Sequence, residues 1–162
     1  FYAYKVGWET HFCFFRDMEN LKTIVKNHLP GETFLMDLVH NPNSDFIKIT
    51  IDSPRNITIT ETSNIVKRIK NDNDILSMFP NGFHLEVTTP GVGSNLLKKF
   101  QYEKNIGRKI FIEYLCDDFN ITSDVFVLIG VEEKGIMVGK GKKNHLIMFE
   151  NIKLAKIKVS FD

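Results

Sequence analysis

A chain of 162 residues suffices for one domain of ordinary size or two small ones, and its 43% hydrophobic and 25% charged residues exclude intrinsic disorder and the fibrous classes. No run approaches the roughly 18 apolar residues of a membrane-spanning helix. The net charge of +1 hides an asymmetry: residues 18–89 hold seven Lys and Arg against nine Asp and Glu, a balance of −2, whereas residues 90–162 hold twelve against nine, a balance of +3. The basic excess of the second part points it toward an anionic partner. Cys13 and Cys116 match no zinc or CxxC spacing, which fits a reduced, cytoplasmic protein.

Residues 1–17 are rich in aromatic side chains but have no period of two or 3.6, and are read as a flexible N-terminal extension. From Glu19, Leu21, Ile24, Val25, His28 and Leu29 form one stripe of an amphipathic helix, which Pro30-Gly31 ends. Two strand-like runs follow, 34–39 and 46–51, separated by the turn formers of HNPNSD. In the second run Ile47, Ile49 and Ile51 alternate with Lys48, Thr50 and Asp52, so one face is expected to be buried. Thr60 is a candidate cap for a second helix with the apolar stripe Ile65, Val66 and Ile69, which the NDND run at 71–74 ends. Phe83, Leu85 and Val87 then alternate with His84, Glu86 and Thr88 as a third strand. Thr89-Pro90-Gly91 stops it, because proline donates no ladder hydrogen bond and glycine takes backbone angles that other residues resist. Two helices on a three-stranded sheet is the economical packing.

Past Leu97 the pattern changes. LLKKFQYEKNIG fits a short helix or turn ending at Gly107. Strand-like runs at 110–115, 125–131, 135–140, 145–149 and 154–161, punctuated by turns at 133–135 and 139–144, predict a small closed β-barrel. The expected organisation is therefore α+β: an N-terminal α/β domain over 18–90 and a C-terminal barrel domain over 91–162, with Pro90, Gly91 and Gly93 as an interdomain hinge.

LEVTTPGV at 85–92 resembles the leucine-glutamate-valine-serine-serine-proline-glycine-leucine segment of the bacterial ribosome maturation factor RimP family. IKITIDSPRNITITETSNIVKRI at 47–69, FQYEKNIGRKIFI at 100–112 and LIMFENIKLAKI at 146–157 are similar to further segments of that family, in the same order. The resemblance implies an SH3-like type for the barrel and a non-enzymatic assembly factor that binds the immature small ribosomal subunit. Its implied partners are the subunit's rRNA and the ribosomal protein near the decoding centre, with no membrane, small-molecule substrate or cofactor. One departure stands out: Gly93-Ser94-Asn95 replaces the family's aspartate-arginine-proline, so the fork an arginine offers to phosphate is absent from position 94.

Lys140, Lys142 and Lys143, in GKGKKNH, are the densest basic cluster. Lysines on a glycine-spaced turn approach phosphates closely, and RNA contact is favoured there over a merely solvated turn. Lys98, Lys99, Arg108 and Lys109 are further RNA-binding candidates flanking the hinge, and Lys153, Lys156 and Lys158 read as the outer face of the last strand. For a basic ribosomal protein the better contacts are the acids Asp117, Asp118, Glu132 and Glu133. Neighbours along a strand point to opposite faces, so neither acid pair forms a catalytic dyad within one. The five histidines share no ligand spacing, and no metal or catalytic site is expected. GVGSNL at 91–96 has Leu96 where a dinucleotide loop needs its third glycine, which argues against a nucleotide site. The rival readings are a general RNA-binding barrel protein without a ribosomal role and an enzyme using the 91–96 loop.

Overall fold

A computed structural model of the chain describes residues 18–116 and 120–159; the expected extension at 1–17 lies outside them. The described residues fall into two compact units, one of 18–52 with 56–89, the other of 53–55 with 90–159.

In the first unit, helix α1 runs to residue 28, and β1 (Phe34–Asn41) and β2 (Phe46–Asp52) form an antiparallel hairpin. Helices α2 (Ile59–Lys70) and α3 (Asn73–Met78) then carry the chain to β3 (His84–Thr88), which lies parallel to β2. A parallel partner demands such a crossover, since no tight turn returns a chain to run in the same direction. The strand order β1-β2-β3 puts β2 in the centre. The alternation of that strand is fulfilled: Ile47, Ile49 and Ile51 are fully buried with Leu21 and Val25 of α1, Ile65 and Ile69 of α2 and Ile75 of α3. Burial of each such side chain is worth about 1.5–3 kcal/mol. On the opposite face the register-matched Lys48 and Glu86 form an ion pair at 2.9 Å.

Two local expectations need correction. The cap of α2 is Thr58, not Thr60: Thr58 Oγ1 accepts from Glu61 N at 3.2 Å while Glu61 Oε2 accepts from Thr58 N at 2.8 Å. That reciprocal box needs an acid three residues on, which Thr58 has and Thr60, with Ser63, lacks. The NDND run does end α2, at Asn71, but also starts a further helix that periodicity did not show. Asp72 caps α3, its Oδ1 accepting from Asp74 N at 2.9 Å and Ile75 N at 3.1 Å, while Oδ2 meets His28 Nε2 of α1 at 2.8 Å. Six residues are too few for a hydrophobic period to be visible.

The second unit opens with α4 (Lys99–Glu103), followed by β4 (Lys109–Leu115), β5 (Ile121–Val131), β6 (Gly135–Lys140), β7 (Lys143–Met148), a 3-10 turn (Phe149–Asn151) and β8 (Ile152–Ile157). The strands make an antiparallel sheet in the order β7-β6-β5-β4-β8. The sheet is an open ladder: β7 and β8 are its outer strands and no pairing joins them among the described residues, so the closed ladder expected of the barrel is not seen. Register irregularities at Leu128/Gly130 and Glu113/Tyr114 are of the kind that coil a sheet. One core cluster takes Ile147 from β7 together with Ala155 and Ile157 from β8, so both outer strands face the same interior. Strand limits differ from the sequence reading mainly where polar residues extend a ladder, as at 121–124 and 143–144. Gly135 is fixed by close packing: a Cβ there would lie 2.4 Å from Ile147 O.

Asp72 joins two helices of the first unit, and its carboxyl is held below the usual carboxylate range, first by the His28 hydrogen bond and then by the Ile75 N–H. With a folded pKa below the unfolded value of about 3.9, its contribution is complete above that value and disappears as pH falls through the folded pKa. Asp72→Ala is expected to cost about 1 kcal/mol at neutral pH, measured by chemical denaturation, with the gap to the parent protein closing in acid. A gap that persists unchanged deep into acid contradicts this assignment.

Candidate nucleic-acid interface

The chain enters the second unit through a turn in which Ser94 N donates to Gly91 O at 3.0 Å and Gly93 takes φ +79°. A left-handed angle of that kind costs glycine little and other residues more. Beyond it, residues 95–98 are fastened by five hydrogen bonds. Asn95 Oδ1 accepts from Ala155 N at 2.8 Å, and Leu96 N donates to Ala155 O at 2.8 Å. Tyr102 Oη donates to Leu96 O at 3.1 Å. Gln101 Oε1 accepts from both Leu97 N at 2.7 Å and Lys98 N at 2.9 Å.

These contacts make the polar interior of the site. Gln101 is 2% exposed and Tyr102 3%, so their polar atoms need the partners they have. Burial pushes the Tyr102 hydroxyl up to about 12, which keeps it a neutral donor. The network continues through Asn105, whose Nδ2 donates to Gln101 O at 2.7 Å and whose Oδ1 accepts from Arg108 Nη1 at 2.9 Å. Arg108 is therefore positioned by a neutral partner and is exposed, next to exposed Lys109 at the start of β4. Lys98 and Lys99 are exposed at the start of α4 on the fastened backbone.

Gln101, Asn95 and Asn105 were not singled out from the sequence. A glutamine at the third helical position that reaches back to the N–H groups before the helix is half of a capping box, but Lys98 stands where the other half needs a serine or threonine. The visible signal is thus incomplete.

The cluster at 140–143 is not the uniform turn that its glycines imply. Lys140 ends β6 and Lys143 begins β7, directly opposite each other, with only Gly141 and Lys142 between them. Gly141 has φ +63°, the requirement of a hairpin turn with glycine in its first central position. Like charges facing across a ladder repel, and here Asp124 of β5 answers one of them by an ion pair with Lys140. The same contact holds the Asp124 carboxyl below its usual range. Lys140 is thereby committed to the sheet, whereas Lys142 and Lys143 are exposed and in no ion pair among the described residues.

Glu132 and Glu133 are exposed on the β5–β6 hairpin, at the opposite end of β6 from Gly141 and Lys142. Glu132 and Glu133 therefore occupy a different tip of the sheet from Lys142 and Lys143, with Lys134 beside them on the same hairpin. Asp117 and Asp118 lie outside the described residues. Pro90, Gly91 and Gly93 lie at the join between the two units.

Residues 24–93 match the model of the RimP N-terminal domain family. The chain is also similar to a protein named ribosome maturation factor RimP from Christiangramia forsetii, 28% identical over 142 residues, an alignment that spans 79% of this chain and 87% of that relative. Where the buried network is concerned, Gln101→Ala leaves the Leu97 and Lys98 N–H groups without their acceptor and should cost about 1–3 kcal/mol. Hydrogen exchange at these two amides should rise with it, read by NMR. Unchanged protection of both contradicts the role given to Gln101.

Proposed function

We propose that this chain belongs to the RimP family, whose N-terminal domain its residues 24–93 match, and, from that premise, that it is a non-enzymatic ribosome maturation factor that binds the immature small ribosomal subunit. The observation that carries the reading is the family match over 24–93 together with the similarity of most of the chain to a named ribosome maturation factor. In this reading the five-stranded sheet is a small barrel of SH3-like type, supported by the core cluster that β7 and β8 share and by the ladder irregularities that coil the sheet. Pro90, Gly91 and Gly93 serve as the hinge between the domains.

The action is thermodynamic. Contacts with one assembly intermediate raise its population, and release follows when the mature arrangement no longer offers those contacts. Lys142 and Lys143 at the hairpin tip, with Lys98, Lys99, Arg108 and Lys109, meet rRNA phosphates; their exposure and the lack of ion pairs at Lys142 and Lys143 among the described residues support this role. Lys140 contributes less, because an RNA phosphate would compete with Asp124 for it. Glu132 and Glu133, with Asp117 and Asp118, face the basic ribosomal protein near the decoding centre. The place of action is the cytoplasm.

Replacing Lys142 and Lys143 with alanine should weaken association with purified immature small subunits and make the plot of log affinity against log salt shallower by about 1.4 to 1.8 units, given 0.7 to 0.9 per phosphate. Lys140→Ala should change that slope less. Reversing Glu132 and Glu133 to lysine is the companion measurement. Lost binding in the acid variant with an unchanged slope in the lysine variant would move the interface from RNA to protein.

A further inference from the structure

The second unit holds a cavity of about 380 Å³ between the fastened segment 95–99 and the turn into β8, within the roughly 300–1,000 Å³ span of small-ligand sites. Three lysines, Lys98, Lys99 and Lys153, line it together with Tyr102, Phe149 and Ile152. All three lysines are exposed and none forms an ion pair among the described residues. Tyr102 and Phe149 meet edge to face with ring centroids 5.5 Å apart. No acid is among the residues that line the cavity; Glu103 and Glu150 stand next in sequence to its Tyr102 and Phe149, and Phe149 N donates to Lys134 O on the hairpin that carries Glu132 and Glu133.

We propose that this cavity holds one unpaired nucleotide of single-stranded RNA, its phosphate on Lys98, Lys99 and Lys153 and its base against the Phe149 and Ile152 wall. The proposal rests on the RNA-contact reading above and gives it a place and a substrate form. A duplex offers phosphates but keeps its bases stacked inside, so an apolar aromatic wall beside the cations is of use only to an unstacked base. Lys153 takes a new role, since in sequence it reads as the outer face of the last strand. The cavity is also prepared in advance. Gln101 fixes the backbone of Leu97 and Lys98, while Asn95 and Leu96 fasten the same segment to Ala155 of β8, so little ordering remains to oppose binding.

The test uses the full chain and a single-stranded hexanucleotide as probe. Amide NMR should map the oligonucleotide to residues around Lys98, Phe149 and Lys153, and the triple variant Lys98→Ala, Lys99→Ala, Lys153→Ala should flatten its salt slope by about 0.7 units, the share of the one phosphate that the three lysines hold. Perturbations confined to Lys142 and Lys143, or a slope unchanged in the triple variant, overturn the cavity assignment. So does a hexaglutamate peptide that shifts the same amides as strongly, which would make the cavity a peptide site. Sedimentation of the unaltered chain with immature small subunits separates the two claims. Binding to particles with no oligonucleotide response in the cavity removes this inference alone, whereas no binding to particles removes the ribosomal reading and leaves the NMR map to decide the cavity.

Discussion

One buried amide governs the part of the molecule that carries its basic charge. Gln101 takes the backbone N–H of Leu97 and that of Lys98, the N-cap of α4, the latter being one of the donors that the start of a helix leaves without helical partners. Because Gln101 is almost out of water, loss of those bonds costs the desolvation of the groups involved and not only a weak exchange with solvent. Tyr102, Asn105 and Arg108 extend the same network, from Leu96 O to the surface beside β4. The lysines at 98 and 99 stand on backbone that is already set.

The distribution of charge follows from that construction and from the sheet. Within the second unit one group of cations lies on the fastened segment and the turn into β8, a second at the β6–β7 hairpin tip, and Arg108 and Lys109 at the start of β4, with Glu132 and Glu133 on the hairpin at the other end of β6. Asp124 removes Lys140 from the second group. A net charge of +3 over residues 90–162 is therefore the sum of localised patches, and a salt-dependent contact is governed by the patch that touches the anion.

Much of the architecture was legible in the sequence because long-period patterns report burial. The alternation at Ile47, Ile49 and Ile51 and the stripe at Leu21, Ile24 and Val25 correspond to the observed core, and the sequence of strands after Ile110 corresponds to the antiparallel sheet. What escaped is short or depends on contacts across the chain. Helix α3 has six residues and one buried side chain, too little for a period. The Thr58 cap is distinguished from Thr60 only by which of them has a glutamate at the right distance. Asp124 and Lys140 are 16 residues apart and meet only because β5 and β6 pair. Asn95 meets Ala155 from 60 residues away, and no local rule announces it. Lysine clusters are easily found in a sequence, but the acid that neutralises one member is found in the fold.

On the function proposed above, the chain acts on the small ribosomal subunit before maturation is complete. Sedimentation of the tagged chain from cell extracts through a density gradient tests it most directly. Co-migration with free small-subunit particles, and absence from translating ribosomes, is the result expected. A chain that stays at the top of the gradient, or that follows translating ribosomes as strongly as free small subunits, contradicts the account.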